Sequence, residues 1–224
     1  MPAQYQICRV ELAKKSLTPS LTPNPSPKGE GNDYLCAIKL LQECLEYPHH
    51  LGEGKLYGAQ ENDFYYLLGI AYEALGDQAK AVACWEEATK GPQEPAAAMY
   101  YNDAKPDKIF YQGMALLKLG REAEARGRFY KLINYGKQHV FEKQVMDYFA
   151  VSLPDLLIWG EDREDGSSEL DTKNEIHCKY MLALGYYGMG DQEKSRKYLE
   201  EVEALDNNHQ GAQQLRSLTD LGWS

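Results

Sequence analysis

The stretch from Asn62 to Gly91 constrains the fold of this chain more than any other. Tyr65, Leu68, Gly69 and Tyr72 fall on one face at helical spacing. Gly76-Asp77 then interrupts the pattern, and Ala81, Trp85 and Ala88 make a second face with the same period. Bulky residues alternate with small ones, so two helices can close on each other: Gly69 and Ala81 let the backbones approach, while Trp85 and Tyr72 fill the space left between them. Gly76 stands where the first helix must stop, because glycine tolerates the left-handed position after a helix end. Asp77 follows as an N-cap for the second helix. The stretch therefore predicts a helical hairpin.

These residues resemble the tetratricopeptide repeat, in which a bulky residue, Leu-Gly, an aromatic, Gly, Ala, an aromatic and Ala recur at fixed offsets over about 34 residues. The same template fits Ile109, Gln112-Gly113, Leu116, Gly120, Ala125, Phe129 and Leu132, although Gln112 and Leu116 depart from its commonest choices. It fits again at Leu182-Ala183, Tyr186, Gly190-Asp191, Ser195, Leu199 and Val202, with Ser for Ala and Leu for the aromatic. The resemblance implies an all-α solenoid and no reaction. The clearest repeats are 62–91, 106–138 and 173–207, within one solenoid spanning residues 1–221. Gly120 and Gly190 lie 70 residues apart, close to two repeat lengths, so 139–172 is expected to be a degenerate repeat filling one slot of the stack. Residues 208–221 predict an amphipathic capping helix, as the open end of a solenoid requires.

Before the first clear repeat, residues 3–15 read as a helix, and Asp33 is placed to cap another that runs through Glu46. Between them Ser16–Gly31 reads SLTPSLTPNPSPKGEG, with four prolines and almost nothing to bury. Proline removes backbone donors and disfavours helix in the residue before it. We read 16–31 as a disordered insertion at a hairpin turn, tolerable because loop-closure entropy grows slowly with length. It resembles the translated intergenic repeats found in bacterial hypothetical proteins. A short helix is also expected at 95–101.

Net charge is −10, with an isoelectric point near 5.0. That argues against a nucleic-acid surface, which needs a basic stripe, and against an anionic membrane surface. No apolar run reaches the roughly 18 residues that span a bilayer, and the N-terminus has no basic-then-apolar signal pattern. The five cysteines, 8, 36, 44, 84 and 178, show no C-x-x-C spacing. They read as free thiols on apolar helix faces in a reducing compartment, which places the chain in the cytoplasm. His49 and His50 adjoin each other in a loop, a poor start for a metal site that needs three or four converging ligands. No cofactor is expected: GEGK at 52–55 lacks phosphate-loop spacing, and dinucleotide, zinc-protease and serine-hydrolase motifs are absent. The carboxylate pairs Glu86-Glu87, Glu161-Asp162, Glu164-Asp165 and Glu200-Glu201 read as solvated faces. No residue is assigned a catalytic role.

The functional expectation comes from repeat geometry. The first helix of each stacked hairpin lines the concave side. Its outward positions are Asp63, Tyr66, Ile70 and Glu73; then Asp107, Phe110, Met114 and Lys118; then His177, Tyr180, Leu184 and Tyr187. Such a strip of aromatic, aliphatic and polar residues suits a protein or peptide partner. The expected binding residues are Tyr66, Ile70, Glu73, Phe110, Met114, Lys118, Tyr180, Leu184 and Tyr187. Recognition of a chaperone-tail carboxylate needs Lys and Asn on this face, and only Lys118 is there. Tyrosines make up 17 of the 25 aromatics. Most sit at packing positions, and a carbohydrate-binding or carbohydrate-active accessory domain with its ligand in the concave groove is the alternative reading.

Four further stretches, LGEGKLYGAQENDFYYLLG, EPAAAMYYNDAKPDKIFYQG, DYFAVSLPDLLIW and NEIHCKYMLALGYYGMGD, resemble the C-terminal repeat region of large uncharacterised bacterial proteins with an upstream mutarotase-like β-sandwich. That resemblance implies a non-catalytic interaction or assembly scaffold, detached from a larger protein, with a carbohydrate-related β-sandwich domain as partner. Deleting Ser16–Gly31 should leave thermal stability unchanged or raised. A loss of helical circular-dichroism signal in the deletion variant would contradict the insertion reading.

Overall fold

The computed structural model describes residues 30–47, 54–55, 58–97, 103–143 and 169–220. Among these, all regular structure is helical: α1 (Glu30–Leu45), α2 (Asn62–Ala74), α3 (Gln78–Ala88), α4 (Pro106–Lys118), α5 (Glu122–His139), α6 (Glu169–Gly188), α7 (Gln192–Leu205) and α8 (Gln210–Asp220). Residues 3–15, His49-His50 and 144–168 fall outside the described residues, as does most of the proline-rich segment. Helix α1 begins at Glu30, ahead of the Asp33 cap, so its first residues overlap the end of the segment read as an insertion. Residues 95–97 are irregular rather than helical.

Three hairpins, α2/α3, α4/α5 and α6/α7, share one turn. Gly76, Gly120 and Gly190 adopt φ of +78°, +72° and +80°. In each turn the glycine N–H donates to the carbonyl three residues back and the next N–H to the carbonyl five back, at 2.9–3.0 Å. This double bond closes a helix end through a left-handed residue, which only glycine enters without steric cost. Asp77 and Asp191 then cap α3 and α7, their carboxylates accepting the N–H of Lys80 at 3.2 Å and of Lys194 at 3.1 Å. Arg121 holds the equivalent place before α5 without a side-chain cap.

Inside the first two hairpins a large side chain lies in the space left by a missing one. A Cβ on Gly69 would meet the Trp85 indole Nε1 at 2.2 Å, and one on Gly113 would meet the Phe129 ring at 2.4 Å. Trp85 and Phe129 are 1% and 0% exposed. In the third hairpin the matching template positions hold Ala183 and Leu199, both buried. There Ser195 replaces the usual alanine, and its hydroxyl donates to the Ala183 carbonyl at 2.9 Å, so the buried polar atom is satisfied.

The hairpins stack so that α2 packs on α4 and α4 on α6, while α3 packs on α4 and α5 on α6. Helix α1 packs on α2, and α8 on α6 and α7. Glycine again sets the closest approach. Cβ atoms on Gly136, Gly185 and Gly188 would meet the Cys178 carbonyl, Ile133 and the Phe129 ring at 2.7, 2.6 and 2.3 Å. Since α4 and α5 both lie directly on α6, the second and third hairpins are immediate neighbours. The degenerate repeat expected at 139–172 falls mostly on 144–168, outside the described residues.

Trp85→Ala should destabilise by about 3–5 kcal/mol, because it empties the middle of a hairpin. Gly69→Ala should cost about 1–3 kcal/mol by overpacking against the same indole. Urea melts of both variants check the register, and an unchanged midpoint for Trp85→Ala would contradict it.

Candidate functional site

The strip expected to line an open groove is mostly interior. Tyr66, Ile70, Phe110, Tyr180, Leu184 and Tyr187 are all buried, at 2–8% exposure. Phe110 sits 5.4 Å from Tyr111, 5.8 Å from Tyr187 and 6.1 Å from Phe129, and Tyr66 sits 5.4 Å from Tyr111, centroid to centroid. These rings join α2, α4, α5 and α6. Six of the nine expected binding residues are therefore core, a correction with a simple cause. When first helices pack side by side, positions that look outward within one hairpin are covered by its neighbours. Burial also raises the Tyr66, Tyr180 and Tyr187 hydroxyls above their ordinary range, which rules them out as phenolate bases near neutral pH.

The other three stay partly open. Glu73 and Lys118 form an ion pair at 2.7 Å with side chains 38% and 34% exposed. The Lys118 ammonium also lies 5.4 Å from the Trp85 ring centroid, a cation–π distance. Met114 is half-buried against the core.

The opposite edge, where the hairpins connect, is built from polar side chains that tie one connection to another. Asn62 donates to the carbonyls of Ala88 at 2.8 Å and Lys90 at 2.7 Å, finishing α3. Gln112, fully buried, donates to Lys90 at 3.2 Å and Pro92 at 2.9 Å and accepts from Arg128 at 3.1 Å. Asn174 donates to the carbonyls of His139 at 2.8 Å and Glu142 at 3.3 Å, finishing α5. Gln60 bonds to the Asp103 carbonyl and the Lys105 N–H, both at 3.3 Å. His177 donates Nε2–H to the Ala96 carbonyl at 2.8 Å, fastening the 91–97 connection to α6.

An ion pair completes this edge. Lys108 pairs with Asp63, the two side chains 12% and 11% exposed, and Asp107 lies 3.9 Å away. The pair joins the first turns of α2 and α4 across 45 residues, the same offset as Glu73–Lys118 at the far ends, so the two helices run in register. Burial opposes the Lys108 charge, but the Asp63 and Asp107 carboxylates outweigh it and raise the ammonium above its ordinary value.

Nothing among these groups makes a reactive pair. Burial pushes the Cys178 thiol up to about 12 and raises Cys84 as well, so neither is an activated thiolate. Cys36 is exposed, Cys84 is half-buried, and Cys44 and Cys178 are buried. Among the described residues, no three His, Cys, Asp or Glu side chains converge as a metal site, and no helix is long and apolar enough to cross a membrane.

Sequence reasoning missed Asn62, Gln112, Asn174 and Lys108. Only Gln112 left a signal, as a polar residue where the template wants leucine. With the geometry in hand, a family model for the tetratricopeptide repeat matches residues 63–90 and 176–209, the α2/α3 hairpin and most of α6/α7. Those two hairpins are similar to tetratricopeptide repeats. The α4/α5 hairpin lies outside both matches, yet has the same glycine turn and the same glycine–aromatic contact. No solved structure matches the chain.

Lys108→Ala should cost about 3–5 kcal/mol, since it strands a buried carboxylate, and adding Asp63→Asn should return part of that loss. A double-mutant cycle in urea measures the coupling. The Lys108 contribution is complete below the ordinary lysine value of about 10.4 and is lost only as pH rises through the higher folded value. The coupling should therefore stay constant from neutral pH to about pH 10.

Proposed function

We propose that these tetratricopeptide repeats form a non-catalytic scaffold for protein–protein interaction or assembly. The observation that carries the reading is the pair of repeat matches on hairpins that stack first helix against first helix. Repeats of this kind generally mediate protein contacts. The surface we assign to the partner is the accessible remnant of the expected strip: the Glu73–Lys118 pair, Met114, and Leu117 beside it at 38% exposure. It offers paired charges around an apolar patch, a composition that suits the rim and centre of a modest interface.

The sequence resemblance names the first partner to try, a mutarotase-like β-sandwich domain. A carbohydrate ligand in the groove has less in its favour, because Tyr66, Tyr180 and Tyr187, the rings a sugar would stack on, are buried. The test is co-expression of the full chain with such a β-sandwich domain from the same organism, followed by size-exclusion chromatography. A co-eluting complex that Lys118→Glu with Met114→Ala weakens at least tenfold is the expected result. A complex indifferent to both substitutions would move the interface elsewhere, and separate elution of the two proteins would remove this partner.

A further inference from the structure

The C-terminal helix is capped in an unusual way. At its start the Ala212 N–H donates to Nδ1 of His209 at 3.1 Å, and the Gln213 N–H donates to the His209 carbonyl at 3.2 Å. The side-chain cap is thus an imidazole nitrogen in the place usually held by a Ser, Thr, Asp or Asn oxygen. An oxygen cap keeps its lone pair at any physiological pH. An imidazole keeps it only while neutral.

We propose that His209 is a pH-sensitive latch: neutral, it fastens helix α8 over the end of the stack, and a proton taken up at Nδ1 releases that helix.

Three features make the proton costly. It occupies the lone pair that accepts from Ala212, so the cap is lost and its former donor faces another donor. It also places a cation at the positive end of the helix dipole. Finally, the ring is half-buried, 4.7 Å from the Tyr180 ring, and Gly211 packs on the same tyrosine, where a Cβ would meet its hydroxyl at 2.4 Å. Burial accordingly lowers His209 from its ordinary value, against opposing pulls from Asp206 in the preceding turn, the residue's own backbone carbonyl and Asp107 of α4. His177, on α6 beside Tyr180, is also lowered by burial and is disfavoured further by charge on His209.

The helix is short enough to depend on this cap. At 11 residues α8 is below the length at which an isolated helix holds itself in water. Its docking rests on buried Ala212 and Leu215, and on Arg216 paired with Glu203 of α7 at 2.5 and 2.7 Å. A depressed folded value means the His209 contribution is complete above about pH 6.5 and is lost as pH falls towards the folded value. Release uncovers the apolar end of the stack that Ala212 and Leu215 now cover.

His177 separates cause from coincidence. Its Nε2 is already a donor, to the Ala96 carbonyl, so a second proton does not break its hydrogen bond. The test is amide hydrogen exchange of the full chain from pH 7.5 to 5.0, corrected for intrinsic exchange. In wild type the opening constant of residues 212–216 should rise by up to about tenfold per pH unit below 6.5. His209→Asn, which keeps a cap acceptor without titrating, should abolish that slope, and His177→Gln should retain it. A flat wild-type profile, a slope that survives His209→Asn, or one that vanishes in His177→Gln overturns the latch. If His209→Asn does not fold, ¹⁵N imidazole spectra of wild type still decide: Nδ1 must be the unprotonated nitrogen at pH 7.5, and a proton found there refutes the proposal.

Discussion

The structure depends on one kind of contact, a large apolar side chain seated where another helix has no side chain at all. Trp85 lies on Gly69 within the first complete hairpin, and Phe129 lies on Gly113 within the second. Phe129 also reaches Gly188 of the next hairpin. The same ring therefore closes α4 on α5 and sets how closely α5 meets α6. A fully buried aromatic brings a large apolar area out of water, and the glycine opposite lets it do so without separating the backbones. The turn glycines with positive φ are subordinate to this. They set where the chain reverses, and the aromatic–glycine seats set how near it returns.

Because these seats draw the helices so close, little of the first-helix face remains for a ligand. The offset of 45 residues between Asp63 and Lys108, and again between Glu73 and Lys118, shows α2 and α4 held in register at both ends. Between those ion pairs the facing positions carry Tyr66, Ile70 and Phe110, which are large enough to fill the interhelical space. Among the residues expected to line the groove, Glu73, Met114 and Lys118, towards the tight-turn ends of the first helices, are the ones left partly open.

How far this was legible in the sequence follows from distance along the chain. The Trp85–Gly69 seat and the Gly76 turn lie within one hairpin, so helical periodicity and the rules for helix ends specify them locally. Whether Tyr66 faces water or Phe110's neighbour Tyr111 depends on a helix some 45 residues away, and periodicity within α2 carries no information about it. The closeness of α5 and α6 is hidden in the sequence for the same reason. The 70 residues from Gly120 to Gly190 suggested two periods, yet Gly136, Gly185 and Gly188 make α5 and α6 direct partners whatever the length of chain between them. Small residues in two helices signal close packing only once it is known that those helices meet.

The polar edge explains how a stack with such long connections stays ordered. Loop closure over a longer connection costs only slightly more entropy, but each carbonyl at a helix end still needs a donor when it is covered. Asn62, Gln112 and Asn174 supply those donors from the body of the stack, so the ends of α3 and α5 are fixed by residues of other helices rather than by the connections themselves. Gln112 shows why a departure from the repeat template is retained at little cost. A leucine there would bury more apolar area, but the Pro92 carbonyl and the Arg128 guanidinium would lose Gln112 as a shared partner, while the Lys90 carbonyl would keep the Asn62 amide.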